Sequence, residues 1–180
     1  ALPILLVFGV LRGDGATRSV LWMAVATLVF AAWIVWSRVD FAGTTFSGLF
    51  VADRFGAFAK MLVLLGSAFS LVLALDYLER ERLGRPEFPV LVVTATLGML
   101  VMVSANDLLS LYVGLELQSL SLYVLAAFKR DAVRSTESGL KYFVLGALAS
   151  GILLYGSTLV YGFTGTTSFA GIADALGGTQ

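Results

Sequence analysis

The sequence predicts an all-α, polytopic transmembrane helical bundle with about six membrane helices, the first of them truncated. Three observations predict it. Apolar residues make up 58% of the chain and charged residues 13%, with a mean hydropathy of +0.91, against roughly half and a quarter in ordinary soluble domains. The apolar residues fall into runs close to the roughly 20 residues a helix needs to cross about 30 Å of hydrocarbon. Basic residues crowd the alternate connections between those runs.

Residues 1–11 are apolar but too short to span, so the chain is expected to begin inside a helix. The spans that follow are 19–37, 56–78, 88–104, 107–128 and 137–163. Arg38 to Phe55, with its Gly, Thr, Asp and Arg residues, reads as an interfacial connection with one short amphipathic turn. The linker ERERLGRPEF spaces Glu79 from Arg82 and Glu81 from Arg85 so that opposite charges meet if the helix extends outward. Pro86 and Pro89 suit the first turn of the next helix. After Gly162 the hydrophobicity falls, and a short surface segment is expected.

Composition also removes several chemistries. The twelve basic and twelve acidic residues cancel, so nothing points to a nucleic-acid surface. The sequence holds no cysteine and no histidine, which excludes disulfides, thiolate metal sites and imidazole bases. Phosphate-binding glycine loops, catalytic carboxylate pairs and serine triads are absent as motifs. Carboxylates, amines, hydroxyls and water must do any chemistry.

Arg12, Arg18, Arg80, Arg82, Arg85, Lys129, Arg130 and Arg134 fall on one side of the predicted bundle, Arg38 and Arg54 on the other. The positive-inside rule then puts loops 12–18, 79–87 and 129–136 in the cytoplasm or matrix. Trp22, Trp33, Trp36, Tyr161 and Phe163 lie near span ends, where amphipathic aromatics anchor at the headgroups.

Glu116 is the anomaly. It stands near the middle of DLLSLYVGLELQSLSLYVLAAF, where a carboxylate facing lipid costs several kcal/mol. Tyr112, Glu116, Ser119 and Tyr123 follow at i, i+4, i+7 and i+11, one helical stripe, with Leu, Val and Ala opposite. The stripe must therefore face the bundle interior, a water file or another subunit. A carboxyl there that visits both protonation states relays protons; one that stays protonated only bonds a neighbouring helix.

Lys141, one turn after Glu137, lies roughly 6 Å inside the last span. It either snorkels to the headgroups or, paired with Glu137 on an inward face, forms a proton intake point. Ser135 or Thr136 is expected to cap that helix, and Asp107 to cap the one before it. Lys60 reads as snorkelling. Gly139, Gly146, Ala147, Ser150, Gly151 and Gly156 are small residues that let another helix approach.

SANDLLSLYVGLELQSLSLYVLAAF, followed by STESGLKYFVLGALASGILLYGSTLVYGFTGTTS, resembles the fifth and sixth transmembrane helices of the N-type antiporter-like subunits of respiratory complex I, over roughly residues 104–168. The resemblance implies proton translocation coupled to redox chemistry elsewhere. Glu116 matches that family's essential glutamate, half of a Glu–Lys pair, and Lys141 matches a lysine of the sixth helix. The family's principal lysines on later helices have no counterpart in this stretch. The resemblance further implies no cofactor in this chain, with flavin, iron–sulfur clusters and quinone in partner subunits, and antiporter-like M-type and K-type subunits as membrane neighbours. The setting it implies is a bacterial plasma membrane or the mitochondrial inner membrane. A structural membrane subunit and a multi-subunit cation/proton antiporter are the rival readings.

Overall fold

A computed structural model describes residues 2–12, 17–81 and 83–178, apart from the side chains of Val10 and Arg12. Seven helices run along it: α1 (Leu2–Arg12), α2 (Thr17–Ser37), α3 (Arg54–Arg80), α4 (Glu87–Ser104), α5 (Leu108–Ala126), α6 (Val133–Thr164) and α7 (Phe169–Gly177). Helices α2 to α6 are long and apolar enough to cross a membrane. The 11 residues of α1 reach only about 16 Å, and the 32 of α6 about 48 Å, so α6 tilts or runs beyond the hydrocarbon.

Helix α4 is the hub. It packs against α5 most extensively and also meets α1, α2 and α3, while α2 lies along α3 and α6 along α5. Val20, Leu21, Leu64 and Leu71 are fully buried between these helices. Between α3 and α4 the pin is polar. Thr96 Oγ1 lies 2.9 Å from Ser67 Oγ and 2.8 Å from Val92 O, so a single hydroxyl links the two helices. Between α4 and α5 the packing depends on two glycines. A Cβ at Gly98 would lie 2.6 Å from Gln118 N, and one at Gly114 would lie 2.9 Å from Met102 N. Only hydrogen fits there, and the backbones meet.

Arg38 to Phe55 corrects the expected amphipathic turn. Gly43–Thr45 (β1) and Phe50–Ala52 (β2) form an antiparallel hairpin with Thr44 opposite Val51. Its loop carries Phe46, Ser47 and Gly48 at φ of 52°, 56° and 91°, left-handed conformations that the two non-glycine residues adopt at a cost. Tertiary contacts hold the loop: Asn106 Nδ2 donates to Gly48 O at 3.0 Å and Asn106 N to Leu49 O at 2.9 Å. The same segment receives α7, since Phe169 N donates to Asn106 O at 3.2 Å.

Helix ends also depart from expectation. Helix α6 starts at Val133 rather than 137, and neither Ser135 nor Thr136 caps it. Ser135 Oγ instead donates to Ala126 O at 3.0 Å, spending its hydroxyl on the end of α5. Glu81 pairs with Lys129 at 2.5 Å rather than with Arg85. That ion pair joins the α3–α4 and α5–α6 connections, and the hydrogen bond to Glu81 with its charge holds the Lys129 ammonium above the usual lysine value. Arg82, half of the expected Glu79–Arg82 pair, and residues 13–16 of the first loop lie outside the described residues. Pro86 stands at the N-cap of α4 and Pro89 in its first turn, where a missing N–H costs nothing.

Candidate functional site: a hydroxyl chain ending on Glu116

Asp107 starts the site. Its Oδ1 accepts from Leu109 N at 2.8 Å and Ser110 N at 3.3 Å, capping α5 as expected, and its Oδ2 accepts from Thr167 Oγ1 at 2.5 Å. The carboxylate is buried, 4% exposed, so it pins the α5 start against the segment that follows α6. From that fixed start the helical repeat turns Tyr112, Glu116, Ser119 and Tyr123 to one side. The opposite face is not the expected wall of Leu, Val and Ala: Ser110, Gly114 and Ser121 are buried there, with Gly114 against Met102 of α4, while Leu109, Val113, Leu120 and Val124 are exposed on the flank between the two faces.

The stripe faces α6. Ser150, one of two buried residues on that helix, donates from Oγ to Glu116 Oε1, and the Tyr112 phenol lies 3.1 Å from the same Oγ. A serine hydroxyl has one proton, so Tyr112 donates to Ser150 while Ser150 donates to Glu116. The result is a directed chain, Tyr112 to Ser150 to Glu116. With Glu116 protonated, every bond can reverse and point toward Tyr112. A group of three exchangeable protons with two polarities can take up a proton at one end and release one at the other.

Depth and packing hold the chain in place. Glu116 lies one residue from the midpoint of α5, about 1.5 Å along the axis, and is half-buried. One and a half to two turns on, Tyr123 is buried and lies edge-on to Tyr142 at 4.8 Å and to Phe143 at 5.6 Å between ring centres. Its hydroxyl occupies the space that a side chain at Gly146 would need. Gly139 likewise receives Ala127, whose Cβ would be 2.5 Å from an added methyl. Ser119 is half-buried and makes no side-chain hydrogen bond among the described residues.

Lys141 pairs with Glu137 at 2.5 Å, as their spacing predicts, but their side chains are 69% and 56% exposed. Lys141 precedes Ser150 by nine residues, about 13 Å along α6. The structure therefore does not bring it to Glu116, and among the described residues no lysine or arginine forms an ion pair with Glu116. Nor, among the described residues, do three carboxylates gather where they could hold a metal ion. Sequence reasoning treated Ser150 as a packing notch and missed its role as the bridge. Its spacing from Gly146 carried the only signal, since both face the same neighbour.

A family model described as NADH:quinone oxidoreductase/Mrp antiporter, TM, matches residues 105–180. NADH-quinone oxidoreductase subunit N of Paramagnetospirillum magneticum is 58% identical over 97% of this chain and 36% of its own. Subunit N 1 of Rhizobium meliloti is 55% identical over 96% of this chain and 36% of its own. The chain thus spans a little over a third of the length of these relatives. Among solved structures, a chain of respiratory complex I from Thermus thermophilus with bound aureothin superposes with a TM-score of 0.74 at 32% identity, over 98% of this chain and 41% of that one. An archaeal membrane-bound sulfane sulfur reductase gives the same TM-score at 22% identity, a likeness of fold.

Proposed function

As the chain belongs to the family of antiporter-like N subunits of NADH-quinone oxidoreductases, we propose that it supplies part of a proton half-channel centred on Glu116. The observation that carries this reading is the hydrogen-bonded chain from Tyr112 through Ser150 to a carboxyl at mid-membrane depth. Protons reach Glu116 from the cytoplasmic side and leave when the charge of a neighbouring group changes. The driving energy comes from NADH oxidation and quinone reduction in other subunits of the complex, and M-type and K-type subunits are its neighbours in the membrane. Lys141 and Glu137, exposed at the basic end of α6, act at the mouth of that route rather than beside Glu116.

One observation favours a structural rival: Glu116 meets hydroxyls and no base among the described residues. In that case its carboxyl only fastens α5 to α6. Glu116→Gln separates the two, because an amide oxygen still accepts from Ser150 but cannot be ionised. In the intact complex this variant should assemble normally and lose most of the proton translocation per NADH oxidised. Normal translocation would establish the structural reading instead.

A further inference from the structure

Lys60 is unexplained by the proton route. It sits six residues into α3, about 9 Å along the axis, at the hairpin end of the bundle. Half-buried within a membrane-spanning helix, its ammonium makes no hydrogen bond or ion pair among the described residues. Arg38, at the end of α2, is equally unpaired. Of the neighbouring charges, Arg54 pairs with Asp40 at 2.9 Å, while Asp53 caps α3 by accepting from Gly56 N at 2.7 Å and its charge also acts on Lys60.

Two open recesses adjoin at Lys60. The smaller, about 170 Å³, is lined by Arg38, Lys60, Asp53 and Phe41. The larger, about 370 Å³, runs under the hairpin and is walled by Phe46, Phe50, Leu64, Leu100 and Val101. Lys60 and Val35 line both. A cationic lobe joined to an apolar lobe is the shape of an amphiphile's site, and the charges fix its sign. Arg38 and Lys60 against Asp53 leave one positive charge, which one phosphodiester anion neutralises. Trp33 and Trp36, exposed on the same end of α2, set the recess at headgroup depth.

We propose that this double recess binds an anionic phospholipid, its phosphate held between Arg38 and Lys60 and one acyl chain lying under the β-hairpin. A guanidinium and an ammonium are both suited to a phosphate oxygen. The apolar lobe distinguishes a lipid from a free anion, which would have no use for it. The site is separate from Glu116, so its failure leaves the proton route untouched.

The test uses the intact complex with the full-length subunit, delipidated and then supplied with phosphatidylglycerol carrying a photoreactive acyl chain. Label should appear on peptides covering residues 31–64 and 100–104. Lys60→Met and Arg38→Gln should each lower the yield roughly five-fold, the scale for losing one cation near a membrane surface, while Lys60→Arg retains it. Phosphatidylcholine with the same chain should label weakly, and inorganic phosphate should not compete. Arg38 is exposed, so Arg38→Gln keeps the test open if Lys60→Met fails to assemble. Equal labelling in both variants, equal labelling by phosphatidylcholine, or label elsewhere in the subunit would overturn the site. Competition by inorganic phosphate would overturn the lipid assignment.

Discussion

At the scale of residues, Ser150 decides how Glu116 behaves. It gives Glu116 Oε1 a donor and accepts one from Tyr112, so one serine partners two polar groups at mid-membrane depth. Ser150→Ala breaks both bonds at once. Hydrogen bonds between membrane helices average about 0.6 kcal/mol and reach about 1.7, so this variant should lower subunit stability by about 1–2 kcal/mol in thermal unfolding of the detergent-solubilised complex. It should also uncouple Tyr112 from Glu116. The stripe Tyr112, Glu116, Ser119, Tyr123 was legible in the sequence because helical spacing and the cost of a lipid-facing carboxyl leave few choices. Ser150 was not, because a serine among small residues satisfies packing and hydrogen bonding equally well, and only the register between α5 and α6 tells them apart.

At the scale of elements, the glycines separate into those that touch a neighbour and those that do not. Gly98 meets the backbone of α5, which cannot yield, so Gly98→Ala should destabilise by about 1–3 kcal/mol. Gly151 has nothing within 4 Å of its added methyl, so Gly151→Ala should be neutral or stabilise by up to about 1 kcal/mol through helix propensity. Side-by-side thermal unfolding of the two variants checks the contrast. Spacing alone could not rank them, since both sit in apolar helices among small residues. Span positions were legible because length and hydrophobicity set them. The hairpin was hidden because Phe46 and Ser47 lack the sequence signature of a left-handed turn, and Asn106, far along the chain, secures it.

The connection between Glu81 and Lys129 adds a pH dependence at this scale. The folded state holds the Lys129 ammonium above its ordinary value. A group with a raised folded pKa contributes its stability below the unfolded value, near 10.4 for lysine, and loses it as pH rises through the folded one. The stability difference between the wild type and Glu81→Gln should therefore hold steady from neutral pH to about 10.4 and fall above it. An alkaline series of melting temperatures for the two proteins reads this directly.

At the scale of the whole molecule, the two ends of the bundle differ in kind. One end is tied by Lys129 with Glu81 and by Thr17 Oγ1 donating to Gly84 O at 2.6 Å, and it carries most of the basic residues. The other is closed by the hairpin, Asn106, Asp107 and the start of α7. Charge asymmetry predicts the basic end in the cytoplasm. A cysteine introduced at Asp131 should react with an impermeant thiol reagent from the cytoplasmic face alone, and one at Thr44 from the opposite face alone. Reversed labelling would invert the proton route proposed above.

The central claim is that Glu116 gains and loses a proton as the complex turns over. Infrared difference spectroscopy of the working complex tests it most directly, through the carbonyl band of a protonated carboxyl. The account predicts a band that changes between resting and turning-over enzyme, shifts in Ser150→Ala and is missing in Glu116→Gln. A carboxyl band assigned to Glu116 that stays constant throughout turnover would contradict it.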